Sequence, residues 1–202
     1  MIDDMQRLPL RERNRRRIYR QIVDAAFELF RASGFDATTM DAIAEKAEVS
    51  RGTLFNYFPT KDSLLMPFAN ELYNQYVQPE VRTYLDKQPA TLDVIRFLFI
   101  RIYEHILTLP GIDRALRHEF FSFPRQPDDC KIGTGFFDTL RSIVQYGQRR
   151  GEVRADIPLE NLARYIGVLY VPLLKEVRQS TAAKYAGEVD TLLAFLRSAL
   201  CP

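Results

Sequence analysis

The sequence predicts an all-α protein of about nine helices, with a small N-terminal domain and a larger helical domain behind it. Apolar residues recur at helical intervals along nearly the whole chain, whereas the alternation typical of β-strands is not evident. Of the 202 residues, 47% are hydrophobic, which is enough for a sizeable core. We expect the two domains to comprise residues 1–65 and 66–202.

Residues 38–58 carry the signals of two short helices joined by a tight turn. Thr38 or Thr39 can cap the first helix. A three-residue break then leads to Ser50, a second good cap, and Pro59 marks the end of the second helix. Two short helices with so brief a connection must cross steeply, which is the geometry of a helix-turn-helix.

The front of the second helix is polar. Arg51 and Thr53 lie in its first turn, and Asn56 follows three residues after Thr53 on the same face. In the major groove of B-DNA, arginine reads guanine, asparagine reads adenine, and a threonine methyl group meets a thymine methyl. Leu54 and Phe58, four residues apart, are expected to anchor the opposite face in the core. This pattern predicts double-stranded DNA as a partner.

A helical hairpin that merely fills a core is the alternative interpretation of this segment. Seven arginines just ahead of it, opposed only by Glu12, favour DNA binding instead. They are Arg7, Arg11, Arg13, Arg15, Arg16, Arg17 and Arg20. Such a run, placed before a helix-turn-helix, is an arm or a helix start that lies along phosphates or enters the minor groove. The 11 basic and 9 acidic residues through Lys61 carry the whole net charge of +2, since 17 of each kind follow.

The same part of the chain resembles the TetR family of bacterial regulators, over about its first third. The matching positions are Ile22, Ala25, Ala26, Leu29, Phe30, Gly34-Phe35, Thr38-Thr39, Ile43-Ala44, Val49-Ser50, Gly52 to Phe58, Lys61 and Leu64-Leu65. The resemblance implies phosphate contacts at Thr39, Phe55, Tyr57 and Lys61. It implies base contacts at Arg51, Gly52, Thr53 and Asn56.

Two residues depart from the pattern of that family. Phe55 stands where the family commonly has Tyr, so a phenolic hydroxyl that could reach a phosphate is absent. Glu48 stands where the turn often has Gly. If that position needs a positive φ, a non-glycine residue there costs on the order of 1 kcal/mol.

Beyond the helix-turn-helix the period stays helical. We expect helices over residues 61–77, 91–109, 113–122, 131–150, from 156 or 158 to about 177, and 184–200, with a loop over 123–129. Pro67 should bend the first of these helices or force a fresh start.

The last two helices are apolar around much of their circumference, so they need cover on more than one side. They are either central to the core of the monomer or part of a four-helix interface with a second copy of the chain. The TetR resemblance favours a homodimer, since that family dimerises through its last two long helices. Two copies would then bind the two halves of a palindromic operator. The predicted interface residues are Leu162, Tyr165, Ile166, Leu169, Leu173, Leu192, Phe195 and Leu196.

The intervening region, residues 97–146, is rich in aromatic side chains and contains both histidines. Arg101 and His105 lie four residues apart, and we expect them to orient a carboxylate or a phenol in a largely apolar cavity. Aromatic residues at helical spacing also simply fill cores, so a dimeric regulator with no effector is the alternative. The predicted effector-binding residues are Phe97, Arg101, His105, Phe120, Phe121, Phe137 and Tyr146.

Other classes of function are not indicated. An enzyme, even one fused to a helix-turn-helix, is disfavoured because the chain lacks a glycine-rich phosphate loop and any Ser/His/Asp or Cys/His grouping. Cys130 and Cys201 lie far apart without histidine clusters, so we predict no metal site and no cofactor. No apolar run reaches a membrane span, and we expect a cytoplasmic protein. The predicted function is a ligand-responsive repressor released from its operator by a small, largely hydrophobic, unidentified effector.

Overall fold

The computed structural model describes residues 9–107, 134–176 and 181–201. Every regular element within these ranges is helical, which confirms the predicted all-α fold class. The chain divides after Phe68 into two compact units, which we call the N-terminal unit and the C-terminal unit. In the described ranges, no helix is both long enough and apolar enough to cross a membrane.

The N-terminal unit contains three complete α-helices and the start of a fourth. They are α1 (Leu10–Ser33), α2 (Met40–Lys46), α3 (Arg51–Tyr57) and α4 (Leu65–Leu72), the last preceded by a 3₁₀ turn, Lys61–Leu64. The arginines from Arg11 to Arg20 all lie in α1. Of the two possibilities for the arginine run, the described part is therefore a helix start and not an extended arm.

Side chains from all three helices form the core of the N-terminal unit. Ile22 from α1, Ile43 from α2 and Leu54 from α3 are each fully buried. Phe58, which follows α3, is also buried, and its ring lies 5.3 Å from that of Tyr19. The prediction that Leu54 and Phe58 anchor α3 in the core is thus confirmed.

Threonine and serine side chains begin the two short helices. The Thr39 hydroxyl caps α2 by accepting the backbone N–H three residues further on, at 3.1 Å. Thr38, the other predicted cap, is buried instead and donates its hydroxyl to the carbonyl oxygen of Gly34 at 2.8 Å. Ser50 caps α3 as predicted, since its hydroxyl accepts the N–H of Thr53 at 3.0 Å.

The turn between α2 and α3 contains a residue in the left-handed region. Glu48 has φ +54°, and the N–H of Val49 bonds the carbonyl of Ala44 at 3.0 Å to close the turn. This is the common way in which a helix ends, with glycine favoured at the left-handed residue. Glu48 therefore meets the condition under which a non-glycine residue at this position costs on the order of 1 kcal/mol.

The C-terminal unit begins within α4 and has a core of its own. Its elements after α4 are a π-helical turn (Tyr73–Val77), α5 (Gln78–Leu85), α6 (Thr91–Ile102), a second π-helical turn (Tyr103–Leu107), α7 (Thr134–Arg149), α8 (Leu159–Glu176) and α9 (Ala182–Leu200). Fully buried side chains from α6, α7 and α8 meet in this core. They include Ile95, Phe99, Leu140, Ile143 and Ile166.

Residues 61–77 are helical throughout, as predicted, and the helix starts afresh close to Pro67. Its first turn is 3₁₀, and a new α-helix starts two residues before Pro67, so the missing N–H of this proline falls in a first turn where no intrahelical bond is lost. The helix also continues to Leu85. It passes Pro79 through the π-helical turn, in which the N–H of Gln78 bonds the carbonyl of Tyr73.

The remaining helix predictions differ mostly at their ends. The expected helix over residues 91–109 becomes π-helical from Tyr103. The last helix begins slightly earlier than expected because the Thr181 hydroxyl caps it by accepting the N–H of Lys184. The predicted helix over 113–122 and the loop over 123–129 lie outside the described residues.

Replacing Glu48 by glycine should stabilise the protein by up to about 1 kcal/mol, because glycine adopts a positive φ without the clash that a Cβ causes. Chemical denaturation of the full chain measures the change. Glu48→Ala is the matched control, since it removes the same charge but keeps the Cβ. An equal gain from both substitutions would show that charge, and not backbone conformation, makes Glu48 unfavourable.

Candidate functional site

Helix α3 turns one face to the core and the opposite face to solvent. Leu54 is fully buried, whereas Arg51, Gly52 and Asn56 are exposed. Thr53 lies between these faces and is half-buried. The predicted base-contacting residues therefore lie along the accessible side of the helix.

The Arg51 side chain is held by two neighbours. Its Nη1 lies 3.3 Å from Oδ1 of Asp41, an acidic residue on α2. Its guanidinium carbon lies 5.5 Å from the centre of the Phe55 ring, one turn further along α3. Both charged side chains remain about two-thirds exposed. The guanidinium is thus accessible and still restrained in direction.

The other predicted base-contacting residues differ in the contacts that they make within the protein. The hydroxyls of Ser50 and Thr53 are hydrogen-bonded at 2.8 Å, whereas the amide of Asn56 has no hydrogen-bond partner among the described residues. At Gly52, an added Cβ would meet only the Ser50 hydroxyl, at an ordinary 3.9 Å. The packing of the N-terminal unit therefore does not require glycine there, although glycine costs a helix about 1 kcal/mol relative to alanine.

Three of the four predicted phosphate-contacting residues lie on or near the exposed surface of the helix-turn-helix. Thr39 is exposed, and Phe55 and Tyr57 are half-buried. The Thr39 hydroxyl caps α2, which leaves one of its lone pairs and its own hydrogen available. The Phe55 ring lies against Arg51, which gives it a role that needs no hydroxyl.

The surroundings of Lys61 differ from those expected of a phosphate-contacting residue. Its ammonium donates to the carbonyl oxygens of Phe35 at 2.7 Å, Asp36 at 3.2 Å and Thr38 at 2.9 Å. It also lies 4.5 Å from the centre of the Phe35 ring. An ammonium has three N–H donors, and all three are engaged by the backbone. In this structure Lys61 secures the turn between α1 and α2 and offers no free donor to a phosphate.

The helix-turn-helix belongs to a larger segment that matches a known family. Residues 22–66 match the family described as "Bacterial regulatory proteins, tetR family". This span includes the buried half of α1, the whole of α2 and α3, and the start of α4. This segment is a TetR-family DNA-binding domain.

Other relatives of this chain extend the similarity well beyond the helix-turn-helix. The chain is 26% identical over 151 residues to the fatty acid metabolism regulator protein of Bacillus subtilis, which covers 72% of this chain and 75% of that protein. It is 26% identical over 158 residues to the transcriptional repressor KstR2 of Rhodococcus jostii, which covers 72% of each.

A solved structure supports the same conclusion. FadR of Thermus thermophilus, a TetR-family transcriptional repressor in complex with lauroyl-CoA, superposes with a TM-score of 0.65 at 28% identity. The match covers 88% of this chain and 92% of FadR. The chain thus shares the fold and the DNA-binding domain of TetR-family transcriptional repressors, which are not enzymes, in agreement with the prediction from its sequence.

In the C-terminal unit, Arg101 and His105 already have partners within the protein. Arg101 donates to the carboxylates of both Glu80 and Glu104. His105 lies 3.4 Å from Glu80 and is stacked on Tyr76 with ring centres 5.5 Å apart. The hydrogen bond from Arg101 lowers the pKa of Glu80. A carboxylate effector would have to displace these acids, so the structure does not support the predicted role of the pair.

Of the other predicted effector-binding residues, Phe97 lies beside Arg101, whereas Tyr146 and Phe137 contact other side chains and backbone of the C-terminal unit. Phe97 stacks on Tyr84 at 4.4 Å, on the wall of a surface groove to which Arg101 also contributes. Tyr146 donates its hydroxyl to the carbonyl of Pro89, and Phe137 lies beside Phe136. The last two, Phe120 and Phe121, lie outside the described residues.

A buried group of tyrosines in the C-terminal unit was missed by the sequence analysis. The hydroxyls of Tyr170 and Tyr185 are hydrogen-bonded at 2.6 Å, and Tyr170 stacks on Phe99 with ring centres 3.9 Å apart. Burial raises the pKa of both hydroxyls. The Tyr73 hydroxyl is buried with no hydrogen-bond partner among the described residues, and burial raises its pKa as well. Only the amphipathic character of tyrosine itself would have signalled this cluster.

The predicted dimer residues divide into three groups by their exposure. Leu162, Ile166 and Leu196 are buried within the C-terminal unit, so they belong to its core and cannot form an outer face. Leu173 and Leu192 are half-buried. The exposed members are Tyr165 and Leu169 on α8 and Phe195 on α9. Val168 on α8 is also exposed, although it was not among the predicted interface residues. Among the described residues, these four and Leu10 are the exposed large hydrophobic side chains.

Replacing Lys61 by methionine should destabilise the protein by about 1–3 kcal/mol, because three carbonyl oxygens lose a charged donor. The salt dependence of DNA binding should keep its slope, since losing a phosphate contact would reduce that slope by about one. Thermal denaturation and binding titrations at several salt concentrations measure the two effects.

The matched control for Lys61 is Lys46→Met. Lys46 forms an exposed ion pair with Glu28 at 2.6 Å, and such pairs contribute at most about 1 kcal/mol. Unchanged stability of the Lys61 variant together with a shallower salt slope would show that Lys61 contacts phosphate after all.

Proposed function

We propose that this repressor binds a palindromic operator as a homodimer and is released from it by a fatty acyl-CoA. The exposed polar front of α3 is the observation that carries the proposal. Arg51, Thr53 and Asn56 present side chains suited to guanine, thymine and adenine. Gly52, which has no packing reason to be glycine, leaves room for a close approach of DNA at the same surface.

Phosphate contacts would supply most of the affinity, and base contacts the sequence preference. The arginines of α1 provide basic charge, and Arg15 and Arg16 share a single acidic partner, Glu12. The net positive charge of the chain lies in the segment through Lys61, and the remainder has no net charge. Binding should therefore weaken as salt concentration rises.

The exposed apolar side chains of α8 and α9 support the homodimer. Tyr165, Val168 and Leu169 recur at helical spacing on α8, and Phe195 on α9 is 61% exposed. Exposed apolar side chains grouped on one helix face commonly mark a protein interface, and burying such surface stabilises association by about 25 cal/mol per Å². A two-fold dimer repeats the α3 surface, which matches the two half-sites of a palindrome.

The support for an acyl-CoA effector comes from relatives and from the character of the C-terminal unit. The structural relative FadR of Thermus thermophilus is in complex with lauroyl-CoA, and a relative in Bacillus subtilis is a fatty acid metabolism regulator. The C-terminal unit has an interior rich in aromatic rings, with buried hydroxyls at Tyr73, Tyr170 and Tyr185. Apolar surroundings with a few polar groups suit a ligand that is mostly hydrocarbon.

The release of DNA follows from thermodynamic linkage. If acyl-CoA binds better to the form of the dimer that binds DNA poorly, it lowers the affinity for DNA by a fixed factor. DNA must then lower the affinity for acyl-CoA by the same factor. A finite limit to the loss of DNA affinity at saturating acyl-CoA distinguishes coupling from competition, in which the DNA affinity keeps falling as ligand is added.

Lauroyl-CoA should raise the melting temperature of the full-length protein and weaken its binding to an operator obtained by in vitro selection. Free CoA and laurate at equal concentrations are the controls, and each should have a much smaller effect. Calorimetry and fluorescence anisotropy measure the two affinities. Retained operator binding without a response to acyl-CoAs of 8 to 18 carbons would favour the effector-free regulator.

Replacing Phe195 by glutamate should shift the protein toward monomer, because a charge would enter an apolar interface. Light scattering after size-exclusion chromatography measures the mass, and operator affinity should fall in parallel. Leu10→Glu, which alters an exposed leucine of the N-terminal unit, is the control and should leave the mass unchanged. An unchanged dimer in the Phe195 variant would place the interface elsewhere.

A further inference from the structure

The restraint on Arg51 connects the two helices of the helix-turn-helix. Asp41 belongs to the first turn of α2, and Arg51 opens α3. Arg51 Nη1 lies 3.3 Å from Oδ1 and 3.4 Å from Oδ2 of this carboxylate. On its other side, the guanidinium carbon is 5.5 Å from the centre of the Phe55 ring. One long side chain is therefore fixed by an acid on one helix and an aromatic ring on the next turn of its own helix.

Stability does not explain this arrangement. The side chains of Arg51 and Asp41 are 69% and 64% exposed, and ion pairs so open to water contribute little to folding. An acidic group next to a surface that binds DNA also repels phosphates and lowers the affinity for any sequence. A role in directing Arg51 accounts for an acid at this position.

The hydrogen bonds of Arg51 leave one edge of the guanidinium available. Asp41 accepts from Nη1, while the N–H groups of Nε and Nη2 have no partner among the described residues. Two adjacent N–H groups on one edge match the N7 and O6 acceptors of guanine in the major groove. Fixing the side chain beforehand also reduces the conformational freedom that must be lost when it binds a base.

We propose that Asp41 is a specificity-determining positioning residue, which together with the Phe55 ring presents the free edge of Arg51 to a guanine in each half-site. The proposal rests on the proposed function, since it requires α3 to lie in the major groove. It assigns to the acid on α2 a contribution to sequence preference without any contact of its own with a base. It also gives a reason for phenylalanine at position 55, because the supporting ring needs no hydroxyl.

The test uses the full-length protein and a set of operator duplexes, each changed at one base pair, with binding measured by fluorescence anisotropy. Arg51→Ala first identifies the base pair that Arg51 recognises, as the position at which preference is lost. A bidentate arginine–guanine contact discriminates between bases by about 5- to 150-fold. We expect Asp41→Asn to reduce preference at that base pair by about five-fold or more, and to leave the base pair recognised by Asn56 unaffected.

Two controls separate positioning from a general effect of charge. Glu45→Gln removes one negative charge from an exposed position on the same helix, one turn after Asp41. It should strengthen binding to all duplexes alike. In the Arg51→Ala background, Asp41→Asn should change no base preference, because no arginine remains to be positioned. Phe55→Tyr, which keeps the ring, should preserve the preference.

Several outcomes would overturn the inference. Asp41→Asn acting uniformly, as Glu45→Gln does, would make Asp41 a simple repulsive charge. A change of preference that persists without Arg51 would mean that Asp41 recognises a base directly. Failure of the wild-type chain to select any DNA sequence would instead refute the proposed function, which keeps the two failures distinguishable.

Discussion

The ammonium of Lys61 binds three backbone carbonyl oxygens where the chain leaves α1 and turns toward α2. Those oxygens belong to residues that have just left a helix, so neither a helix nor a sheet supplies their hydrogen bonds. One charged donor from the segment after α3 satisfies them together. Because the path of this turn fixes where α2 begins, and α2 supports α3, the exposed surface of the helix-turn-helix depends on a contact that lies behind it.

The short helices need this support because seven residues cannot form a stable α-helix in water by themselves. α3 is held by the Ser50 cap at its start and by Leu54 and Phe58 in the core. These contacts use one face and one end of the helix, which leaves the opposite face free for polar side chains. The left-handed conformation of Glu48 is the local cost of reversing the chain in so few residues.

The sequence predicts features that act within one or two helical turns, such as the Ser50 cap and the burial of Leu54. It does not predict partners that the fold brings together from a distance. Lys61 binds carbonyls 23 to 26 residues before it, and Arg101 is neutralised by Glu80, which lies 21 residues upstream. A helix that is apolar around its whole circumference also does not indicate which of its faces is buried. Burial of Leu162 and exposure of Tyr165 could therefore be distinguished only in the structure.

The tyrosine pair in the C-terminal unit has a consequence for the spectroscopy of this protein. The chain contains no tryptophan and ten tyrosines, eight of which follow Phe68, so its near-ultraviolet spectrum arises largely from the C-terminal unit. Tyr170 and Tyr185 are buried, stacked on other rings and bonded to each other, which places their transitions in a rigid, asymmetric environment. Any ligand that disturbs this packing would change the near-ultraviolet circular dichroism without a label.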